Sequence, residues 1–492
     1  MLKPPHKSFL IPSWFVFFFC SQIHALSGPQ SSAIQLSDAE KLVRQGKHAE
    51  AEASLRALVA RQPAADGFHL LGFIYEQRNS LDQAETAYKQ ALKLEAGRDS
   101  SKGRLGIVYG KKGKYVECIA VLEGLQDSTL NNPETLFYLC RAYLESGNQP
   151  KALEMAAMIE RWEEEDPGAL LSVGRLLASK NLNEQAVTIL KKAAHRMADS
   201  PEAYYSLAYA LSRLRRLEEA STYLDQARAL DPSSSKILLL QALVLLDGRK
   251  IPQAKDAIRK AQALGPDDKF AAYLWSRVLI EEGAYKEAIK QISDLIAGGF
   301  QDPNAHLSLI TAYRRNGELQ KALSHALKMA EIFPKNPSAH LRAGIELEFL
   351  GEYQEAQKYL KNAITFGRDD PEVLTVAQFT LATISAKEGN DTEAARLLED
   401  VIRANPRDVQ ARVELADIHQ KNGKDDAAVK TLGEALAFDA QNKRAHFLLA
   451  KVLTKLGKTG EAEQHFKTFQ ELEKAASGTQ SERPAIDSQN VK

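Results

Sequence analysis

The chain has 492 residues, 44% of them apolar and 26% charged, the balance of a folded protein rather than a disordered or fibrous one. Lys+Arg and Asp+Glu both total 64, so the formal net charge is zero. With no basic excess to neutralise phosphates, nucleic acid is not expected as a partner, and three cysteines in such a length exclude a disulfide scaffold.

At the N-terminus, Lys3 and Lys7 lead into an apolar run from Phe9 to Cys20, FLIPSWFVFFFC, and then SQIHALS, with Ala25 and Ser27 at a small-x-small spacing. That order predicts a secretory signal peptide over residues 1–27, cleaved from an exported protein, periplasmic or secreted. Twelve residues are too few to span a bilayer, and Gln22 and His24 interrupt any extension, so no transmembrane span is expected after cleavage. The alternatives are an uncleaved N-terminal anchor and a lipoprotein on Cys20. Cleavage would remove two lysines and no acidic residue, leaving a net charge of −2 on the mature chain, which begins with a short linker at 28–31.

From there one phrase recurs: GKHAEA (46–51), GKYVEC (113–118), GAYKEA (283–288), GEYQEA (351–356), GNDTEA (389–394), with the glycine lost in NSLDQA (79–84), NLNEQA (181–186), RRLEEA (215–220) and RKIPQA (249–254). Its final small residue falls at 51, 84, 118, 152, 186, 220, 254, 288, 322, 356, 394, 428 and 462, a spacing of 34 in ten of twelve intervals. One interval is 33; one is 38, marking a four-residue insertion near Pro371 to Leu374. Such a period is the signature of a repeat array. The units predicted are 32–64, 65–98, 99–132, 133–166, 167–200, 201–234, 235–268, 269–302, 303–336, 337–370, 375–408, 409–442 and 443–476, followed by a disordered tail at 477–492 that holds few large apolar residues.

Within a unit, apolar residues before the glycine recur at helical spacing, as in Phe68, Leu71, Gly72 and Tyr75, and a second stripe follows it, as in Ala84, Tyr88 and Ala91. Each unit therefore reads as two short helices joined by a glycine turn. Prolines agree: some end second helices, others follow a capping residue at the start of first helices (Asn132-Pro133, Asp166-Pro167, Ser200-Pro201, Asp302-Pro303, Asn336-Pro337).

The period, the Leu-Gly-x-x-Tyr of Leu71-Gly72 to Tyr75 and of Leu105-Gly106 to Tyr109, the Ala-x-x-x-(Tyr/Leu) and the closing proline resemble the tetratricopeptide repeat. The resemblance implies an all-α, right-handed superhelical solenoid whose first helices line a concave groove that holds a partner segment. The inward stripe, at the fifth, ninth, twelfth and thirteenth places of units 4 to 9, gives Phe137, Arg141, Arg175, Tyr205, Tyr209, Arg213, Tyr273, Arg277, Arg314 and Arg315. Tyr and Arg are the side chains enriched in binding hot spots, and guanidinium grips carboxylates. The expected partner is therefore a protein presenting an acidic or carboxylate-bearing segment. The resemblance also implies a non-enzymatic interaction scaffold, serving envelope, secretion, pilus or polysaccharide assembly; the alternative is a peptide-binding chaperone or accessory subunit of an exported enzyme. No unit carries the basic fifth residue with an asparagine ninth that chaperone-adaptor members use as a carboxylate clamp.

Chemistry is sparse. HExxH, paired CxxC and GxSxG are absent, and no metal or cofactor is expected. GKTGEA (457–462) opens with Gly-Lys-Thr, the tail of a phosphate-binding loop, but Val452 stands where that loop needs glycine. His306, His340 and His446 share the fourth place of their units and read as core histidines, not ligands. Cys118 and Cys140 read as buried free thiols, with an inter-repeat disulfide as the alternative. The acidic run Glu163 to Asp166 reads as a helix start, and Asn390-Asp391-Thr392 is a glycosylation sequon by pattern alone.

Overall fold

The computed structural model describes residues 30–125, 132–162, 166–265, 268–368 and 370–481. The predicted signal peptide, most of the run Glu163 to Asp166 and the end of the tail lie outside them. Among the described residues the chain forms 26 α-helices and no strand, paired in tandem as thirteen helix–turn–helix units. It is an all-α array of the kind the repeat predicts. The described residues fall into two compact halves, one ending at Pro232 and the other beginning at Ser233, so the division falls between the helices of units 6 and 7.

The turn is where the repeat is most stereotyped. The fifteenth residue of every unit has positive φ, from Gly46 (73°) to Gly457 (76°), and the four units without glycine place Asn79, Asn181, Arg215 and Arg249 there at 56–60°. This left-handed residue closes the first helix: in unit 13 Gly457 N–H bonds Thr454 O and Lys458 N–H bonds Leu453 O at 2.9 Å. GKTGEA is thus a hairpin turn. Nine of the first helices start at side-chain caps. The Asn132 carboxamide oxygen accepts from Glu134 N–H (2.9 Å) and Thr135 N–H (3.3 Å), with Pro133 at the first helical place; Asp166, Ser200, Asp302 and Asn336 do the same for Pro167, Pro201, Pro303 and Pro337. Such a cap stabilises by about 1 kcal/mol.

The helices of a hairpin approach through paired places eight and twenty-four. A Cβ on Gly72 would lie 2.6 Å from the Tyr88 ring, so glycine is required there. Unit 9 inverts the pair, with Ile310 facing Ala326, and both are fully buried. The hairpin thus keeps its summed volume while exchanging large for small.

The four-residue insertion lengthens the first helix of unit 11, Pro371–Lys387, to 17 residues where its neighbours have 13. Asp370 caps it, accepting from Val373 N–H at 3.2 Å, so the inserted residues form one added turn. The first helix of unit 1, Gln30–Arg44, starts inside the expected linker. The last helix, Thr459–Ser481, runs five residues beyond the expected end of unit 13 at 476.

Candidate partner-binding face

In the first half, the first helices of units 4 (Pro133–Glu145), 5 (Pro167–Ser179) and 6 (Pro201–Arg213) carry six of the ten expected residues. Phe137 meets Tyr138 edge to face, centroids 5.3 Å apart. Arg141 lies 6.0 Å from the Tyr115 ring and has no carboxylate partner among the described residues. Arg175 pairs with Glu202 of the next unit at 3.0 Å, with both side chains open to water. Tyr205, Tyr209 and Arg213 follow at four-residue spacing, so they form one stripe. Tyr209 is 39% exposed. Burial, with Glu202 and Tyr209 adding and Arg175 opposing, pushes the Tyr205 phenol up to about 12, so it stays a neutral hydrogen-bonding group. Arg213 is exposed and has no ion pair among the described residues.

Units 2 to 4 close this stretch with charges that satisfy one another. Glu76, buried, accepts from the Tyr88 hydroxyl (3.0 Å) and from Lys111 (2.7 Å), and Arg104 lies 3.5 Å from it. Arg104 also donates to Glu134 at 3.0 Å, and Lys111 lies 3.5 Å from Glu134. With each carboxylate shared by two cations, this network holds neighbouring units together and offers little net charge to a ligand.

The second half treats the same places differently. Tyr273 is 3% exposed, its ring between Phe270 (5.9 Å) and Phe300 (5.8 Å) and its hydroxyl 3.3 Å from Ser308. It is therefore core rather than groove, because the small Ser308 of unit 9 lets the following helix settle over it. Arg277 donates to Asp247 at 2.8 Å. Arg314 lies over the Phe349 ring at 4.6 Å and 3.4 Å from the buried carboxylate of Glu346, which Arg342 also approaches at 3.6 Å. Arg315 is exposed without an ion pair among the described residues. Phe349, at the thirteenth place of unit 10, and Val376, at the second place of unit 11, are among the exposed apolar side chains outside the sequence candidates. Both lie outside the fifth, ninth, twelfth and thirteenth places of units 4 to 9.

The remaining candidates are structural. His306 stacks on His325 (centroids 5.1 Å) and meets Phe333 edge-on; His340 packs on Tyr359 and Phe366 with Nε2 2.9 Å from Pro334 O; His446 Nδ1 lies 2.9 Å from His465 Nδ1. His306 and His446 thus meet a histidine of their own hairpin rather than a ligand shared between units. Cys118 and Cys140 are free and buried, and burial pushes both thiols up to about 12. Asn390 caps the second helix of unit 11, accepting from Glu393 N–H at 3.3 Å. Among the described residues no helix is long and apolar enough to cross a membrane.

Tandem hairpins with a left-handed turn, a small-for-large contact between their helices and capped first helices define a helical repeat protein of the interaction-scaffold class. The chain belongs to the tetratricopeptide repeat family, which matches residues 39–101, 176–244, 239–303, 273–337 and 385–441. No curated protein matches it. Among solved structures it is similar to the APC/C hetero-tetramer Cut9–Hcn1, at 13% identity and TM-score 0.45 over 90% of this chain and 94% of that one. It is also similar to the human IFIT1 dimer with PPP-AAAA, at 16% identity and TM-score 0.46 over 80% of this chain and 94% of that one.

Proposed function

We propose that the chain is a non-enzymatic, exported interaction scaffold whose units 4 to 6 hold an extended acidic segment of a partner protein. The observation that carries this reading is the stripe Tyr205–Tyr209–Arg213 beside Arg141 and Arg175. It sets aromatic surface next to guanidinium groups of which two, Arg141 and Arg213, have no carboxylate among the described residues. Tyrosine supplies rigid contact area and arginine a planar fork for carboxylates, the pairing that dominates binding energy at interfaces. The Arg175–Glu202 pair is open to water and exchanges readily for a ligand carboxylate, since such pairs contribute only about 0–1 kcal/mol. The family contributes the expectation that partners are proteins. The basic start and short apolar run of residues 3–20 support export, and an envelope, secretion, pilus or polysaccharide assembly would be its setting.

The test is affinity purification of the mature form from its native envelope fraction, repeated with Arg141, Arg175 and Arg213 all changed to alanine. Partners retained by the parent and lost by the triple variant, with unchanged helicity, support the reading. An unchanged set of partners removes it. N-terminal sequencing of the exported form tests the leader: a start near residue 28 is expected, and recovery of an uncleaved chain in the cytosolic fraction overturns export.

A further inference from the structure

Ion pairs between consecutive first helices follow one geometry. The second place of a unit lies beside the sixth and ninth places of the unit before it. Glu134 accepts from Arg104 at 3.0 Å, Glu202 pairs with Arg175 at 3.0 Å, and Arg444 donates to Glu414 at 2.8 Å and lies 3.9 Å from Asp417. Three units carry arginine at the ninth place. Arg175 is answered from the second place of the next unit, by Glu202. Arg277 is answered from the thirteenth place of the unit before, by Asp247 at 2.8 Å. Arg141 is answered from neither. Gly168 fills the second place of unit 5, and the thirteenth place of unit 3 is Lys111, itself a cation and bound to Glu76 at 2.7 Å. Glu145, one turn along the helix from Arg141, accepts from Lys180 at 2.7 Å. A Cβ on Gly168 would lie 3.2 Å from Asp166 Oδ1 and meet nothing else within 4 Å among the described residues, so the place opposite Arg141 is open.

We propose that this open place is a carboxylate subsite: a Glu or Asp side chain of the partner segment takes, against Arg141, the position that Glu202 holds against Arg175. The inference rests on the reading of units 4 to 6 as the partner-binding face, and it names where on that face the partner's charge is read. A guanidinium presents a planar fork that a carboxylate meets with two hydrogen bonds. The Tyr115 ring, 6.0 Å away, supports the guanidinium without neutralising it. Two successive junctions are then alike except in who supplies the carboxylate. Between units 5 and 6 the chain supplies it; between units 4 and 5 the partner does. Gly168 is the specificity-determining residue, because an acidic side chain there would answer Arg141 from within the chain. A neutral or basic segment gains nothing at this place.

The test is binding of an acetylated, amidated hexaglutamate to the mature form, read by fluorescence anisotropy at low salt. Gly168→Glu puts a carboxylate opposite Arg141 and should raise the dissociation constant at least fivefold above that of Gly168→Gln, which has the same bulk without the charge. Both changes replace glycine within a helix by a better helix former, so neither should lower the denaturation midpoint, and the loss is not one of folding. Most of the difference between them should vanish when Arg141 is also changed to alanine. Equal constants for Gly168→Glu and Gly168→Gln, or a difference that survives Arg141→Ala, overturn the subsite. So does binding that tightens when Glu163, Glu164 and Glu165 are all changed to glutamine in the parent but not in Arg141→Ala, because that run would then answer Arg141. A parent that binds no hexaglutamate removes the face and the subsite together. A parent whose binding is lost in the triple alanine variant but is indifferent to Gly168→Glu loses the subsite alone.

Discussion

Units 4 to 6 and units 8 to 10 place tyrosine and arginine on the same stripe of their first helices, and the first set leaves more of them available: in the second, only Arg315, the counterpart of Arg213, is exposed without an ion pair among the described residues. Arg141 and Arg213 face solvent without a carboxylate among the described residues, while Arg277 is bound to Asp247 and Arg314 lies between Phe349 and Glu346. At the fifth place Tyr205 is half-buried, whereas Tyr273 is sealed beneath unit 9. Register along a helix decides which side of the hairpin a residue leaves from. The neighbouring unit decides whether it is then free to bind. A repeat array can therefore keep one scaffold throughout and still concentrate recognition in a few units.

The sharpest way to break the contrast is Glu346→Ala. Its carboxylate is buried and answers two guanidinium groups, Arg314 and Arg342. Removing one partner of a buried pair strands the other, but both arginines keep some contact with water, so the expected loss is about 2 kcal/mol, below the ~3–5 of a fully buried pair. Urea denaturation measures it. The released Arg314 and Arg342 should at the same time make the second half bind acidic peptides more tightly than the parent's second half does. If the affinity is unchanged, charge pairing is not what separates the two regions. The converse experiment is the triple change at Arg141, Arg175 and Arg213, which should alter stability by less than about 0.5 kcal/mol while weakening an acidic ligand at least tenfold, about 1.4 kcal/mol or more. Arg277→Ala should do the reverse, with measurable destabilisation and little effect on the ligand.

These outcomes also mark how far the sequence could be read. The thirteen turns, the capped prolines and the small contact residues were legible because each depends on residues within one hairpin: Asn132 with Pro133, Gly72 with Tyr88, Gly457 with Leu453 and Thr454. The absence of glycine at 79, 181, 215 and 249 was visible, and the structure keeps the left-handed turn there regardless. The state of the face was not legible. Whether Tyr273 is core depends on Ser308, 35 residues later, and whether Arg314 is engaged depends on Glu346, 32 residues later. Those partners sit one repeat away at places with no fixed rule of pairing. The insertion near 371–374 was visible as the interval of 38, but its consequence, an added helical turn rather than a loop, followed from Asp370 accepting from Val373 N–H at the start of the helix.

A fourth prediction concerns the second region alone. Burial holds the imidazoles of His306 and His325 below the usual histidine range, His325 at about 4; Lys328 adds to this at both, the His306 ring adds at His325, and Asp302 opposes it at His306. In the unfolded chain both take up protons near pH 6.5. Below that pH the unfolded state binds more protons than the folded one, so stability is full above about 6.5 and is lost as pH falls toward 4. His325→Phe keeps a ring against His306 and removes one titrating group. It should flatten the loss between pH 6.5 and 4 in a urea series. A slope equal to the parent's means that the pair is not a source of acid sensitivity.

The smallest effect tests whether the scaffold beneath the two regions is the same. Arg249 turns a hairpin at φ 56°, a conformation that costs an L-residue about 1–2 kcal/mol. Its side chain is 83% exposed and its nearest carboxylate, Glu281, is 3.9 Å away, so little else holds it. Glycine at 249 would remove the strain but bring its own unfolded-chain entropy, about 0.5–1 kcal/mol. The net gain expected is therefore only about 0.5 kcal/mol. Gly283→Arg, at the same turn one unit on with φ 81°, reverses both terms and should cost a similar amount. Equal and opposite shifts in the denaturation midpoint would show that the turn is one device repeated thirteen times, and that the regions differ only in what their first helices present. Shifts of the same sign would mean that Arg249 is held by contacts beyond its turn, and that the second region is specialised in its scaffold as well as its face.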